Sequence, residues 1–476
     1  MKKIKKTKII ATIGPSSSSS SVMEKMMIEG VDVFRINFSH AKHNEVKKII
    51  KQIREIDNKL SLNTAIIADL QGPKLRIGRM RKNSSLKIGD EIAIDCKSQL
   101  IGNNKKLYVN YKDLAKDIKQ GEKILIDDGK IILKVLNTNK KTQIIAEVIQ
   151  GGEVKSNKGF NLPNTKISLS PLTDKDVKDA ILAIKENVDW IALSFVRKGS
   201  DIESLVKIIN KKSEYSIPVI AKIEKPEALK NIDEIIKVSS GLMVARGDLG
   251  VELQSSEIPL IQKKLVAKAK KSRIPVIIAT QMMESMMESV TPSRAEVNDV
   301  ANSVMDGADA VMLSGETSVG KFPTEVIKTM SSIINKVENS NLISLANKRP
   351  KDQKSKRYIT KSICFSAAKM ANDIKAKAIS TLTNSGYTAF QISSWRPSTH
   401  VLVFTSNRRI LTQLNLLWGV KAFFYDGFES TDSTVEEINK IAMVNKYLQK
   451  GDKVINLTSM PIDQKGMTNT LRISEL

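Results

Sequence analysis

A TIM-type (β/α)₈ barrel, interrupted by a small inserted β-barrel domain and followed by a C-terminal α/β domain, is the fold class the sequence predicts, on three observations. Short β-branched runs alternate with longer amphipathic segments. The runs are nearly continuous in apolar residues, as a parallel sheet buried on both faces requires. Setting the interruption aside, about eight β–α units fit into roughly 240 residues, the size of such a barrel.

The elements follow in order. Lys8–Ile13 reads as a strand closed by Gly14-Pro15, and Ser16–Ser21 as a polar loop that caps a helix at Val22–Glu29. Val31–Asn37 is a second strand. Asn44–Asp57 is a helix with apolar Val46, Ile49, Ile50, Ile53 and Ile56, and Thr64–Leu70 is a third strand ending in Gln71-Gly72-Pro73. From Lys74 to about Ser168 only short strand-like pieces appear, split by Gly, Asn and Asp: Leu86–Ile88, Glu91–Asp95, Lys123–Ile126, Ile131–Val135 and Thr142–Ile149. The α/β rhythm resumes with the helix Thr173–Glu186, where Thr173 is the expected N-cap and Val177, Ile181 and Ile184 the expected buried stripe. Strands at Trp190–Phe195, Val219–Glu224, Gly241–Ala245, Val276–Thr280 and Ala310–Leu313 alternate with helices up to Val337. Asn339–Arg357 is a polar linker, and a last α/β unit with its own parallel sheet runs on to Leu476. The expected domains are therefore 1–72 with 170–345 (barrel), 73–169 (insert) and 346–476 (C-terminal). A doubly wound open sheet would want a glycine-rich turn after the first strand, and Ile13-Gly14-Pro15-Ser16 is not one.

Composition narrows the function. The 476 residues carry a net charge of +25, yet the lysines are spread along the chain without aromatic interleaving. That reads as a solvated surface around a site for anionic substrates, with no nucleic acid expected. Cys96 and Cys364 are far apart and lack metal-ligand spacing, so neither a disulfide framework nor a zinc site is expected. No run approaches a membrane helix and no signal-peptide pattern opens the chain, which points to the cytoplasm.

Polar residues gather where strands end, the face on which barrels of this kind build active sites. They are Arg35, Asn37, Ser39 and His40 after the second strand, Asp69 with Lys74 and Arg76 after the third, and Ser194 after the fourth. Lys222 and Glu224 end the fifth, Gly247 and Asp248 follow the sixth, Thr280 ends the seventh and Ser314-Gly315-Glu316-Thr317 follows the eighth. Lys222 and Glu224 share one face of a strand. Glu224 and Asp248 are hard oxygen ligands suited to Mg²⁺, and Lys222 beside them is suited to neutralising a phosphoryl group in transfer. Arg35 and Arg76 offer fork donors to phosphate. Gly247 lets backbone approach a small substrate, with its N–H available to a carboxylate. The Thr280 hydroxyl suits a late proton step, and the three histidines His40, His43 and His400 form no Ser-His-Asp set.

Ala11–Ser16 (ATIGPS), Arg35–His40 (RINFSH), Asp69–Arg76 (DLQGPKLR), Lys158–Pro163 (KGFNLP), Lys222–Glu224 (KIE), Ala245–Gly250 (ARGDLG), Ala279–Met282 (ATQM) and Ser314–Thr317 (SGET) together resemble the pyruvate kinase family over nearly the whole chain. The resemblance implies phosphoryl transfer from phosphoenolpyruvate to ADP, giving pyruvate and ATP. It implies that Arg35 and Lys222 hold the phosphoryl group and that Lys222 stabilises the transition state. Ser194, Gly247, Asp248 and Thr280 would contact substrate, with Thr280 aiding protonation of the enolate. Arg76, Lys158, Asn37 and His40 would bind nucleotide, and Glu224 and Asp248 would bind Mg²⁺, with Mn²⁺ able to substitute. The insert would close as a lid, and the enzyme would be a cytoplasmic homotetramer. Asn37, Ser39, Asp69 and Leu70 match the family's K⁺ site. Lys74, however, stands where K⁺-requiring members generally have Glu, so the resemblance is to the K⁺-independent subgroup, and K⁺ is expected not to be required. Thr383–Thr388 (TNSGYT), with Thr383, Ser385, Gly386 and Thr388, resembles the family's loop for a phosphorylated effector, although a plain helix cap explains it as well. Rival functions are an aldolase-type lyase acting on phosphoenolpyruvate and a basic RNA-binding scaffold; the first needs neither lid nor Arg76, and the second does not need Lys222, Glu224, Asp248 and Thr280.

Overall fold

The computed structural model describes residues 5–340, 342–343, 349–427, 430–460 and 467–476. The expected barrel closes: eight parallel strands, Lys8–Thr12, Val33–Asn37, Ala65–Asp69, Trp190–Leu193, Val219–Ile223, Gly241–Ala245, Val276–Ala279 and Ala310–Leu313, follow one another round the ring, and the first pairs with the eighth. Alternation divides their side chains. Ile9, Phe34, Ile66, Ile191, Ala221, Val244, Ile278 and Val311 face the surrounding helices. Ile10, Val33, Ile67, Trp190, Ala192, Ile220, Met243, Ile277 and Met312 fill the interior, so the barrel is a packed core rather than a pore.

The insert is a six-stranded sheet plus a two-stranded one, around its own cluster of Ile92, Ile94, Leu107, Leu133, Val135, Ala146 and Val148. Its pieces Lys106–Tyr108, Gly152–Glu153 and Phe160–Asn161 are too short to have shown any periodicity. The C-terminal sheet has four parallel strands, Val420–Phe424, His400–Thr405, Ala378–Leu382 and Lys453–Thr458, but Thr470–Glu475 adds an antiparallel edge, so the sheet is not purely parallel as expected. This domain closes the bottom of the barrel. Leu416 and Phe390 pack on the interior layer, and Trp190 Nε1 donates to the Gln413 carbonyl at 3.2 Å. Arg396, almost wholly buried, forks onto Asp309 at 3.0 and 2.8 Å. The expected domain junction at 345/346 lies outside the described residues.

One further expectation needs correcting. The helix Asp174–Lys185 does start from a Thr173 capping box, but Val177 and Ile181 are not its buried face. Ile181 is 37% exposed, whereas Asp176, Asp179, Ala180, Ala183 and Ile184 are buried. The aspartates can be buried because Asp176 receives the Gly72 N–H at 3.0 Å and Asp179 meets Lys175 and His43 at 2.5 and 2.7 Å. Arg246–Glu252, which follows the sixth strand, is a short helix.

Candidate functional site

The parity that fills the barrel also builds the site. Continuing the inward rows past Ile10, Val33, Ile67, Ala192 and Ile220 gives Thr12, Arg35, Asp69, Ser194 and Lys222, one polar tier on top of the apolar layers. Strand register sets Thr12 beside Arg35 and Asn37 beside Asp69.

Asp69 is the hub of this tier. It is 1% exposed and receives Arg35 Nε at 2.6 Å, with Lys222 Nζ at 3.1 Å from its other oxygen. Arg35 also donates to Thr12 Oγ1 at 2.9 Å, and that hydroxyl donates to the Leu313 carbonyl. Lys222 donates to Ser194 Oγ at 2.7 Å and lies 3.0 Å from Glu224 Oε1, while Ser194 donates to the Leu70 carbonyl at 2.7 Å. Burial alone would favour loss of the lysine proton, but Asp69 and Glu224 outweigh it and hold the pKa of Lys222 above the ordinary range. Lys222 is therefore held as a cation between Asp69, Ser194 and Glu224.

Glu224 is 2% exposed and its Oε2 accepts the Phe195 N–H at 2.8 Å. Burial raises its pKa, Lys222 opposes the rise, and the neighbouring Asp248 adds to it. Two oxygen-donor carboxylates that repel each other at the mouth of the barrel are a donor set fitted to a hard divalent cation such as Mg²⁺.

Across the mouth, Thr280 has φ +72°, a left-handed backbone that a β-branched residue adopts only under strain. Its hydroxyl donates to the Ala279 carbonyl at 2.5 Å and receives the Gly247 N–H at 2.7 Å. The Gly247 N–H is thus engaged here rather than free for a carboxylate. A Cβ at Gly247 would come within 3.3 Å of that hydroxyl. Arg246, left without a role by the sequence, anchors the turn by donating to the Thr280 carbonyl at 2.7 Å and to Asp299 at 2.6 Å.

Of the nucleotide candidates, Arg76 and Lys158 belong to the insert's side of the cleft. Arg76 donates to the Asn157 carbonyl at 2.9 Å and Lys158 pairs with Asp127 at 2.9 Å. His40 stands exposed at the mouth; partial burial, then Arg76, Lys74, Lys175 and Arg35, hold its pKa below the ordinary value. Asn37 and His40 border a cavity of about 600 Å³ with Thr12, Pro15, Gln52 and Ser318. Of the four residues matching the K⁺ site, Asn37 Oδ1 accepts the Ser39 N–H at 3.1 Å, Leu70 receives Ser194, and Asp69 is paired as above. In the effector-like loop, Thr383 Oγ1 accepts the Gly386 N–H, Ser385 is exposed, and the Thr388 hydroxyl is buried against that of Thr468 at 2.7 Å. Among the described residues no helix is long and apolar enough to cross a membrane.

Sequence reasoning missed Thr12, Asp176, Arg246 and the pair Lys225–Glu252, which are 2.5 Å apart; Glu252 also receives Asn161 of the insert at 3.2 Å. Arg246 and Lys225 gave a signal, each as a charge directly after a strand end.

Residues 4–327 match the pyruvate kinase barrel domain and residues 361–474 the pyruvate kinase alpha/beta domain. The chain is 39% identical over 470 residues to a pyruvate kinase of Corynebacterium efficiens, covering 98% of this chain and 97% of that one. It is 38% identical over 475 residues to that of Clostridium perfringens, covering 99% and 100%. A solved pyruvate kinase from Cryptosporidium parvum superposes with a TM-score of 0.91 at 33% identity, over 99% and 96% of the two chains.

Proposed function

The chain belongs to the pyruvate kinase family and is a phosphotransferase that moves the phosphoryl group of phosphoenolpyruvate to ADP; on that premise we propose how its residues divide the work. The carrying observation is the buried, permanently charged Lys222 held between Asp69, Ser194 and Glu224.

Arg35 and Lys222 grip the phosphoryl group. As the bond to the enol oxygen breaks and the bond to the terminal ADP oxygen forms, Lys222 offsets charge on the group in transit. Ser194 aims the lysine. Gly247, Asp248 and Thr280 receive the three-carbon substrate, and Thr280 assists delivery of a proton to the enolate carbon, giving pyruvate. Glu224 and Asp248 are the residues that would hold Mg²⁺, or Mn²⁺ in its place; bound there, the metal would supply positive charge to offset that of the anionic substrates. Arg76, Lys158, Asn37 and His40 bind the nucleotide, with the 600 Å³ cavity giving room for its nucleoside. The insert closes over the cleft and excludes water, and the contact of Asn161 with Glu252 supports such docking.

K⁺ is not required in this reading. Asn37 Oδ1 and the Leu70 carbonyl already accept internal hydrogen bonds, Asp69 lies between the Arg35 and Lys222 cations, and the ammonium of Lys74 acts on His40 at the same mouth. A coupled lactate dehydrogenase assay with phosphoenolpyruvate, ADP and Mg²⁺ in K⁺-free buffer is expected to give full turnover. A collapse in rate rescued by K⁺ would refute this. The effector loop Thr383–Thr388, the homotetramer and the cytoplasmic setting remain part of the proposal on family grounds.

A further inference from the structure

Two side chains after the eighth strand, Glu316 and Thr317, have no task in the mechanism above, yet each reaches a different half of the site. Both are buried, at 3% and 0% exposure. Thr317 turns towards the first strand: its Oγ1 accepts the Thr12 N–H at 3.0 Å and donates to the Thr12 carbonyl at 2.9 Å. The hydroxyl of that same Thr12 receives Arg35 at 2.9 Å. Glu316 turns the other way, to the loop after the seventh strand. Its Oε1 accepts the Met283 N–H at 3.1 Å, and its Oε2 accepts the Ser314 N–H at 2.7 Å.

The loop after the seventh strand needs holding. Thr280 at φ +72° and Gln281 at φ +52° are consecutive left-handed residues, and neither is a glycine. Such a backbone persists only where its surroundings fix it from more than one side. Arg246 grips the near end through the Thr280 carbonyl at 2.7 Å. Met282 and Met283, both wholly buried, come next, and Glu316 grips this far end. Burying a carboxylate is unfavourable unless its oxygens are hydrogen-bonded. No ion pair among the described residues includes Glu316, and its two partners are backbone N–H groups. Its charge strengthens both bonds, which suits a fastener for a strained turn.

We propose that Glu316 and Thr317 are positioning residues that serve separate steps of the reaction. Glu316 fixes the turn that presents the Thr280 hydroxyl to the enolate. Thr317, through Thr12, fixes Arg35 on the phosphoryl group. Neither side chain meets the substrate itself. The inference rests on the roles given above to Thr280 and Arg35, and it makes one short stretch after the eighth strand the common support of both.

Two quantities separate the steps. One is KM for phosphoenolpyruvate in the coupled lactate dehydrogenase assay. The other is exchange of the pyruvate methyl hydrogens in heavy water, followed by proton NMR with Mg²⁺ and ATP present: a methyl C–H bond breaks, the proton passes to the site, and a deuteron returns to the enolate carbon. Glu316→Gln keeps the shape but turns an NH₂ group towards one of the two N–H donors. Exchange is expected to fall roughly tenfold to a hundredfold, with KM within about threefold of wild type. Thr317→Val keeps the volume and should do the reverse, raising KM roughly fivefold to tenfold and leaving exchange within about threefold. Melting curves are recorded for both. Should Glu316→Gln fail to fold, Glu316→Asp, which keeps the charge but falls short of Met283, takes its place with the same expected loss. Unchanged exchange in the Glu316 variant, an unmoved KM in Thr317→Val, or equal losses of both quantities in both variants each overturns the proposal. Thr280→Val, measured alongside, is expected to lose exchange; exchange at the wild-type rate there would bring down the reading of Thr280 itself.

Discussion

Replacing Lys222 by Met removes a single charge from a site whose geometry sets the expected loss. The ammonium sits within 3.1 Å of both Asp69 and Glu224 and is steadied by Ser194, so the cation is preorganised. A unit charge about 4 Å from developing phosphoryl charge, at an effective dielectric near 20, contributes about 4 kcal/mol. At about 1.4 kcal/mol per decade, turnover should fall roughly a thousandfold. Arg35 keeps its own anchors on Asp69 and Thr12, so KM for phosphoenolpyruvate should change by less than about tenfold. The coupled lactate dehydrogenase assay reads both constants. Lys222→Met also leaves Asp69 and Glu224 facing each other, so its melting curve must be recorded, with Lys222→Arg as the charge-preserving control. Turnover within tenfold of wild type in a folded Lys222→Met would refute the role assigned to the ammonium.

Three other contacts lead to measurable outcomes. Thr280→Ser keeps the hydroxyl that meets Gly247 and should stay within about tenfold of wild type, whereas Thr280→Val should lose roughly 10²–10⁴ in turnover; equal rates for the two would rule out a proton role. Arg396→Met strands the buried Asp309 carboxylate and should destabilise the chain by about 3–5 kcal/mol in urea, and an unchanged midpoint would contradict it. His400 titrates in the fold at about 4 instead of 6.5, because of burial first and then Lys6, Lys8 and Lys377. The folded state resists a proton that the unfolded chain accepts, so stability is full above about pH 6.5 and falls towards pH 4, by about 3 kcal/mol in all; His400→Gln should flatten that part of the profile.

The barrel was legible because each strand is apolar on both faces and each ends in an abrupt polar residue. Lys222 and Glu224 could be paired from their spacing alone. Asp69 could be marked at a strand end, but not recognised as the link between Arg35 and Lys222, because that depends on which strands become neighbours. The left-handed turn at Thr280 was invisible, since nothing local favours φ +72° in a threonine; Arg246, reaching from the end of the preceding strand, bonds its carbonyl. The helix after Thr173 misled through its apolar stripe, for the face that packs carries Asp176 and Asp179, whose partners Gly72 and His43 are distant in sequence. The insert's short pieces gave no periodicity to read, and the antiparallel strand Thr470–Glu475 has only Leu471 and Ile473 as apolar residues.

Closure of the barrel has a cost in time. Lys8 pairs with Ala310, partners about 300 residues apart in the chain. At about 5–20 residues per second of synthesis, the first strand waits roughly 15–60 s on the ribosome for its neighbour. Throughout that interval Lys8–Thr12, an apolar strand in the finished barrel, has one edge unpaired and open to wrong partners. Arg35 and Asp69 can meet early, but Lys222 emerges only after the whole insert has been made. Nascent chains of this protein should therefore depend on chaperone shielding of their first strand until the eighth has emerged.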